Sequence, residues 1–255
     1  MWLLARFWPP AKDAAFDFVS AKERDPGDPA RIWVGVGRGK FDEHKGDLGE
    51  SAASLVFRFI KETRKGLASE ELNALTRLVL WIRDEDTGLH DKDRDREWTP
   101  APLLRQYYDL HDADPARLTQ FGFEILAATY AELLMREQLV KDWENRLEFE
   151  SPWGRAVALE TAAYGADEYA YQQGFILLVL IDSRRGFRGF RAAPDSNVDL
   201  TAAYETLRRA DPKADWYLHH SRKLLLCGSD VAPDSKLSKL GLRDLVRVLQ
   251  PVGGK

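Results

Sequence analysis

Asp42, Glu43 and His44 stand side by side, just after the loop Gly35-Val36-Gly37-Arg38-Gly39. Carboxylates and an imidazole are hard-oxygen and nitrogen ligands that suit Mn²⁺, Mg²⁺ or Zn²⁺. The glycines let backbone come close to a ligand. Arg184, Arg185, Arg188 and Arg191 are interleaved with Phe187 and Phe190. That pattern can grip phosphates and stack bases, and it equally describes a hairpin with arginines on its wet face. Asp91, Asp93 and Asp95 imitate the start of a calcium loop. Arg96 stands where the sharp turn wants glycine and Pro102 where the bidentate glutamate belongs, so a solvated loop is expected. His90 and His111 read as surface residues, and His219-His220 closes a strand, where alternation sends the two rings to opposite faces. Cys227 has no Cys or His arranged around it and reads as a buried thiol; as the one cysteine of 255 residues it excludes a disulfide framework or a cysteine-rich zinc site.

The elements that position these residues follow from hydrophobic spacing. Trp2 to Trp8 forms a partly helical apolar stripe that Pro9-Pro10 stops. Ala15–Val19 and Arg31–Val36 read as strands, the second running into the glycine loop. Ser51 opens a helix with Ala52, Leu55, Val56, Phe59 and Ile60 on one face, and Gly66 ends it. Ser69 caps a second helix bearing Leu72, Leu75, Leu78, Val79 and Ile82. An acidic loop spans Asp84 to Glu97, and Asp114-Pro115 starts a long helix to about Glu150. Beyond it, 174–182, 187–192, 216–219 and 224–227 read as strands, Asp199 caps a helix through Arg209, and Gly241–Leu249 is a last amphipathic helix. The expected fold is α/β, with a partial parallel sheet and large helical portion in residues 1–160 and a smaller mixed α/β domain in 161–255.

Composition excludes several classes. Hydrophobic residues are 44 % and charged residues 31 % of the chain, an ordinary globular balance. The longest apolar run, Phe175 to Ile181, is far short of the roughly 20 residues a spanning helix needs. Residues 151–255 carry 15 Lys+Arg against 12 Asp+Glu, whereas residues 1–150 carry 22 against 29. Such a division lacks the dense basic stripe of a duplex binder; it suits acids around metal in front and anion-binding arginines behind. The absence of a signal-peptide pattern makes a cytoplasmic location the expectation.

Phe41-Asp42-Glu43-His44 followed by Ser51-Ala52-Ala53-Ser54-Leu55-Val56 resembles the Phe-Asp-His-His element and following helix of the DHH-type phosphoesterases, above all the MYG-type (melanocyte proliferating gene) exonuclease branch. Ile82-Arg83-Asp84-Glu85-Asp86-Thr87-Gly88 resembles that branch's Ile-Asp-x-x-Asp-Asn-Gly segment. Gly174–Ile181, Phe190-Arg191-Ala192-Ala193-Pro194 and Trp216-Tyr217-Leu218-His219 resemble its second domain.

The resemblance implies a two-metal phosphoesterase whose ions, roughly 3.5–4 Å apart, clamp a phosphate and activate water. It gives Asp42 and His44 catalytic roles, with His44 facing the phosphate. Glu43, Asp86 and Asp84 become metal ligands, and Arg188, His219, Arg222 and Gly228 bind substrate. The chain also departs from the family. Gly35 replaces a ligating aspartate, and the first ligand cluster would precede Met1, as if the chain were entered after its first strand. The expectation is therefore weak binding of Mn²⁺ or Mg²⁺, one ion rather than two. The expected substrates are nucleotides or short single-stranded nucleic acid, with no membrane partner. An open strand edge beside 16–19 or 32–36 would be covered by a second copy or a partner chain. The alternative is a non-catalytic nucleotide- or RNA-binding descendant, or a subunit.

Overall fold

The computed structural model describes residues 1–45, 49–89 and 99–249, which form two compact units, Met1–Leu134 and Met135–Lys255. The protein is α/β, as its sequence predicts.

The first unit is helical among its described residues. Helix α1 spans Trp2–Phe7 and buries Trp2, Leu3, Leu4 and Phe7. Helix α2, Ala52–Thr63, starts at Ser51, whose hydroxyl accepts from the Ser54 N–H at 3.2 Å. It buries Val56, Phe57 and Ile60, and its chain then turns at Gly66 with φ +92°. Helix α3 covers Ser69–Thr87. Ser69 does not cap it: Ala68 holds the N-cap position, and Glu71 Oε2 accepts the Ala68 N–H at 3.1 Å. A third-position glutamate thus satisfies an end donor that the serine was expected to cover. Asp84 and Asp86 lie in the last turn of α3, not in a loop, and Gly88 ends the helix at φ +70°. Helix α4 is Pro100–Leu110 and α5 is Pro115–Trp143. Tyr130 on α5 packs edge-on to Trp2 and Phe7, with ring centroids 5.8 and 5.6 Å away. These aromatic contacts, with Ile60, Leu75 and Leu78, make the unit's core.

The strands expected at 15–19 and 31–36 do not form. Val34 and Phe41, and Arg24 and Gly37, make only isolated bridges. Gly35 at φ +72° and Gly37 at φ +80° break the extended backbone at the end of 31–36. No open sheet edge therefore arises at these segments, and the parallel pairing expected in front lies in the second unit.

That unit carries β1 (Leu147–Ser151), β2 (Gly154–Glu160), α6 (Ala166–Gln172), β3 (Leu177–Ile181), β4 (Arg188–Ala192), α7 (Thr201–Ala210), β5 (Trp216–Leu218), β6 (Leu224–Cys227) and α8 (Leu242–Leu249). The sheet order is β1-β2-β3-β4-β6-β5. Only β2 and β3 pair in parallel, with α6 between them in sequence. Leu177, Val179 and Ile181 join the core that includes Leu207 of α7 and Leu245 of α8. Leu178 belongs instead to the cluster holding Ala170 of α6 and Leu139 and Trp143 of α5. A strand buried on both faces has no polar side, which is why 175–181 reads as an unbroken apolar run.

A candidate metal and phosphate site

The glycine loop sets the first site. Gly37 has φ +80°, and a Cβ there would lie 2.6 Å from the Trp33 ring, so only glycine fits the turn. Gly35 N–H donates to Phe41 O at 2.8 Å and Asp25 N–H to Gly37 O at 3.0 Å. The closed loop delivers Asp42 into the protein, where it is 4 % exposed.

Asp42 is held by three donors. Its Oδ2 accepts the Arg38 N–H at 2.5 Å, and its Oδ1 accepts both the His44 N–H at 3.0 Å and the His44 ring nitrogen Nδ1 at 2.9 Å. Burial pushes the Asp42 carboxyl up. The hydrogen bonds from the His44 and Arg38 N–H groups and from the His44 ring outweigh that, and hold it below the ordinary aspartate value. An ionised carboxylate only accepts, so the His44 proton sits on Nδ1 and Nε2 is left for a ligand. The hydrogen bond to Asp42 raises the His44 pKa, and the charges of Glu43, Asp42 and Asp86 add to it. Asp86 is therefore within electrostatic reach of His44, although it is exposed.

Glu43 completes the group. One ligand atom each from Asp42, Glu43 and His44 lie within 4.8 Å of one another, and they are the one such group among the described residues. Glu43 Oε2 is buried and has no hydrogen-bond partner among the described residues. A buried carboxylate oxygen left unpaired is costly, and a cation satisfies it. With Asp42 already accepting three hydrogen bonds, Glu43 and His44 Nε2 are the groups of this cluster that could hold a metal ion. Asp84 is engaged elsewhere, since Arg83 donates to its Oδ1 at 2.9 and 2.6 Å. Gly35, at φ +72°, brings no ligand. Asp91, Asp93, Asp95 and His90 lie outside the described residues.

In the second unit a cavity of about 140 Å³ is lined by Arg185, Arg188, Arg191, Asp167, Asp182 and Gly228, among others. The arginines there already have partners in the chain. Arg185 meets Asp182 at 3.3 Å, Asp230 at 3.0 Å and the Tyr164 hydroxyl at 2.6 Å. Arg191 pairs with Asp167 at 3.2 Å, and Arg188 donates to the Leu240 and Gly186 carbonyls. Of these three side chains, only Arg191 has a buried nitrogen, Nε, without a partner among the described residues.

The structure does not bring His219 and Arg222 to this cavity. They occupy the β5–β6 turn, at the opposite end of β6 from Gly228. His219 Nδ1 bonds the Ser221 hydroxyl at 2.9 Å, and Arg222 pairs with Asp199 at 3.1 Å. The strand ends at Leu218, so the His219 and His220 rings lie against each other, centroids 3.9 Å apart, instead of on opposite faces. Gly228 is structural: φ is +86°, and a Cβ would collide with Leu237. Cys227 is buried, and burial raises its thiol pKa.

Sequence reasoning missed Arg38, whose N–H anchors Asp42. The residue type gives no signal for it, because the donor is the backbone N–H, set by φ +57° at this position. No family model, no curated protein and no solved structure matches the chain. Among the described residues no helix is long and apolar enough to cross a membrane.

Proposed function

We propose that this chain is a DHH-like phosphoesterase that acts on nucleotides or short nucleic acid with one divalent ion, Mn²⁺ or Mg²⁺. The observation that carries the reading is the orphaned Glu43 Oε2 beside the hydrogen-bonded Asp42–His44 pair. Glu43 and His44 Nε2 would hold the ion, Asp42 orients the imidazole from behind, and Asp86 adds negative charge nearby. A bound ion there supplies Lewis-acid stabilisation of phosphoryl charge. His44, when protonated, donates from Nε2 to a phosphate oxygen; when neutral, it ligates. One ion cannot steady the attacking and the leaving oxygen together, so turnover is slow.

The test is hydrolysis of a short oligonucleotide with and without Mn²⁺. Slow, Mn²⁺-dependent cleavage that Glu43→Gln abolishes supports the reading. Cleavage unchanged by Glu43→Gln or by chelation overturns it. A second reading, a nucleotide- or RNA-binding protein without catalysis, is favoured by Gly35, which stands where the resembled family ligates metal. It predicts bound nucleotide and no turnover at any Mn²⁺ concentration.

A further inference from the structure

A basic pocket lies in the first unit, around the junction of α1 with the end of α2. A pocket there is lined by Arg6, Lys12, Arg64 and Lys65, with Phe7 and Trp8, and no carboxylate lines it. None of the four cations has a carboxylate partner among the described residues. These four cations sit in the half of the chain where acids outnumber bases 29 to 22, and the Glu71 charge acts with those of Arg6 and Arg64 on the Tyr130 hydroxyl.

Two of the four cations, Arg6 and Arg64, stand on aromatic faces. The Arg6 guanidinium lies 5.7 Å from the Phe7 ring centre and 5.3 Å from that of Tyr130, and Arg64 lies 5.2 Å from Phe7. Cation–π contact holds both heads in place without consuming their charge. Aromatic rings then lead towards Asp42. Trp8 packs on Phe59 at 5.5 Å, and Phe59 on Phe41, the neighbour of Asp42, at 5.3 Å. Lys40 lies 3.9 Å over Phe59, also with no carboxylate partner among the described residues. Arg6, Lys12, Lys40 and Lys65 are exposed and Arg64 is half-buried, while Phe7, Phe41 and Tyr130 lie in the core. The half-buried Trp8 and Phe59 are therefore the rings left to meet a base, beside cations that can track a single-stranded backbone.

We propose that Arg6, Lys12, Arg64 and Lys65 form a phosphate-binding pocket for single-stranded nucleic acid, with Trp8 and Lys40 continuing the path towards Asp42. The pocket stands apart from the metal reading, because backbone neutralisation by these cations needs no metal. It lets a one-ion site retain a polymeric ligand, since successive phosphodiesters are held away from the ion.

The test is fluorescence anisotropy of a labelled oligo(U) in EDTA, with the full chain, over a range of salt. Each phosphate neutralised on a single strand contributes about 0.7 to the slope of log affinity against log salt. The double variant Lys12→Gln/Lys65→Gln, both exposed positions, should lower that slope by roughly 1.4 and so weaken binding about 25-fold at 0.1 M salt if the affinity at 1 M is unchanged. Lys12→Arg/Lys65→Arg should keep wild-type affinity, which separates charge from folding. Lys213→Gln/Lys239→Gln, in the second unit, should change neither. No binding by the wild type, binding that requires Mn²⁺, or equal losses in both Gln pairs would overturn the pocket. Binding in EDTA without Mn²⁺-dependent cleavage would sustain the pocket and defeat the catalytic reading.

Discussion

Asp42→Asn removes the charge that organises the first site while keeping its shape. One carboxylate oxygen accepts from Arg38 and the other accepts twice from His44. An amide offers one acceptor oxygen and one NH₂, so one side must face a donor with a donor. The cheaper orientation keeps oxygen on His44 and sets NH₂ against the Arg38 N–H, losing one bond. Hydrogen bonds to charged groups contribute about 1.5–3 kcal/mol, so a loss near 2 kcal/mol is expected at this buried position. At roughly 3 °C per kcal/mol the melting temperature falls by about 6 °C. The histidine gives the sharper readout. Its hydrogen bond to Asp42 is the largest cause of its raised pKa, so NMR titration of the His44 ring should show that value falling in Asp42→Asn. A His44 pKa that stays raised, with unchanged stability, would refute the Asp42–His44 pairing.

Acid should unfold the first unit partly through Asp42. Its folded pKa is lowered, so its stabilisation is complete above the ordinary aspartate value and is lost as pH falls through the folded one. Urea midpoints measured from pH 6 down to pH 2 should fall less steeply in Asp42→Asn than in wild type. Gly228→Ala forces a Cβ against Leu237 and to 2.5 Å from Phe187 at φ +86°. It should cost about 2–3 kcal/mol or more, visible as a lower urea midpoint; a neutral result would mean that the β6 turn relaxes freely.

Helices and buried strands were legible because burial writes its period into sequence. The one-faced spacing of Leu55 to Ile60 and of Leu72 to Ile82 gave α2 and α3, and β3, β4, β5 and β6 lie within the segments expected. The β1–β2 hairpin was hidden by the long α5 pattern before it. Yet Leu147-Glu-Phe-Glu-Ser alternates with period two, and Ser151 to Gly154 is its turn. Arg31–Val36 misled because β-branched residues favour strands only where a partner strand exists. At the site, residue types showed Asp42, Glu43 and His44 together. What they could not show was the hydrogen bonding that makes Asp42 an anchor, which depends on the Arg38 backbone turn. The basic pocket was invisible for a different reason: residues 6–12 and 64–65 meet only because α1 packs on α2.

Manganese stoichiometry tests the central claim most directly. The full chain, as wild type and as Glu43→Gln, is titrated with Mn²⁺ and bound ions are counted by electron paramagnetic resonance. One weakly held ion per chain is expected in wild type and none in Glu43→Gln, with the fold of both unchanged by circular dichroism. An ion that Glu43→Gln still binds, or no ion in wild type at millimolar Mn²⁺, would contradict the metal site.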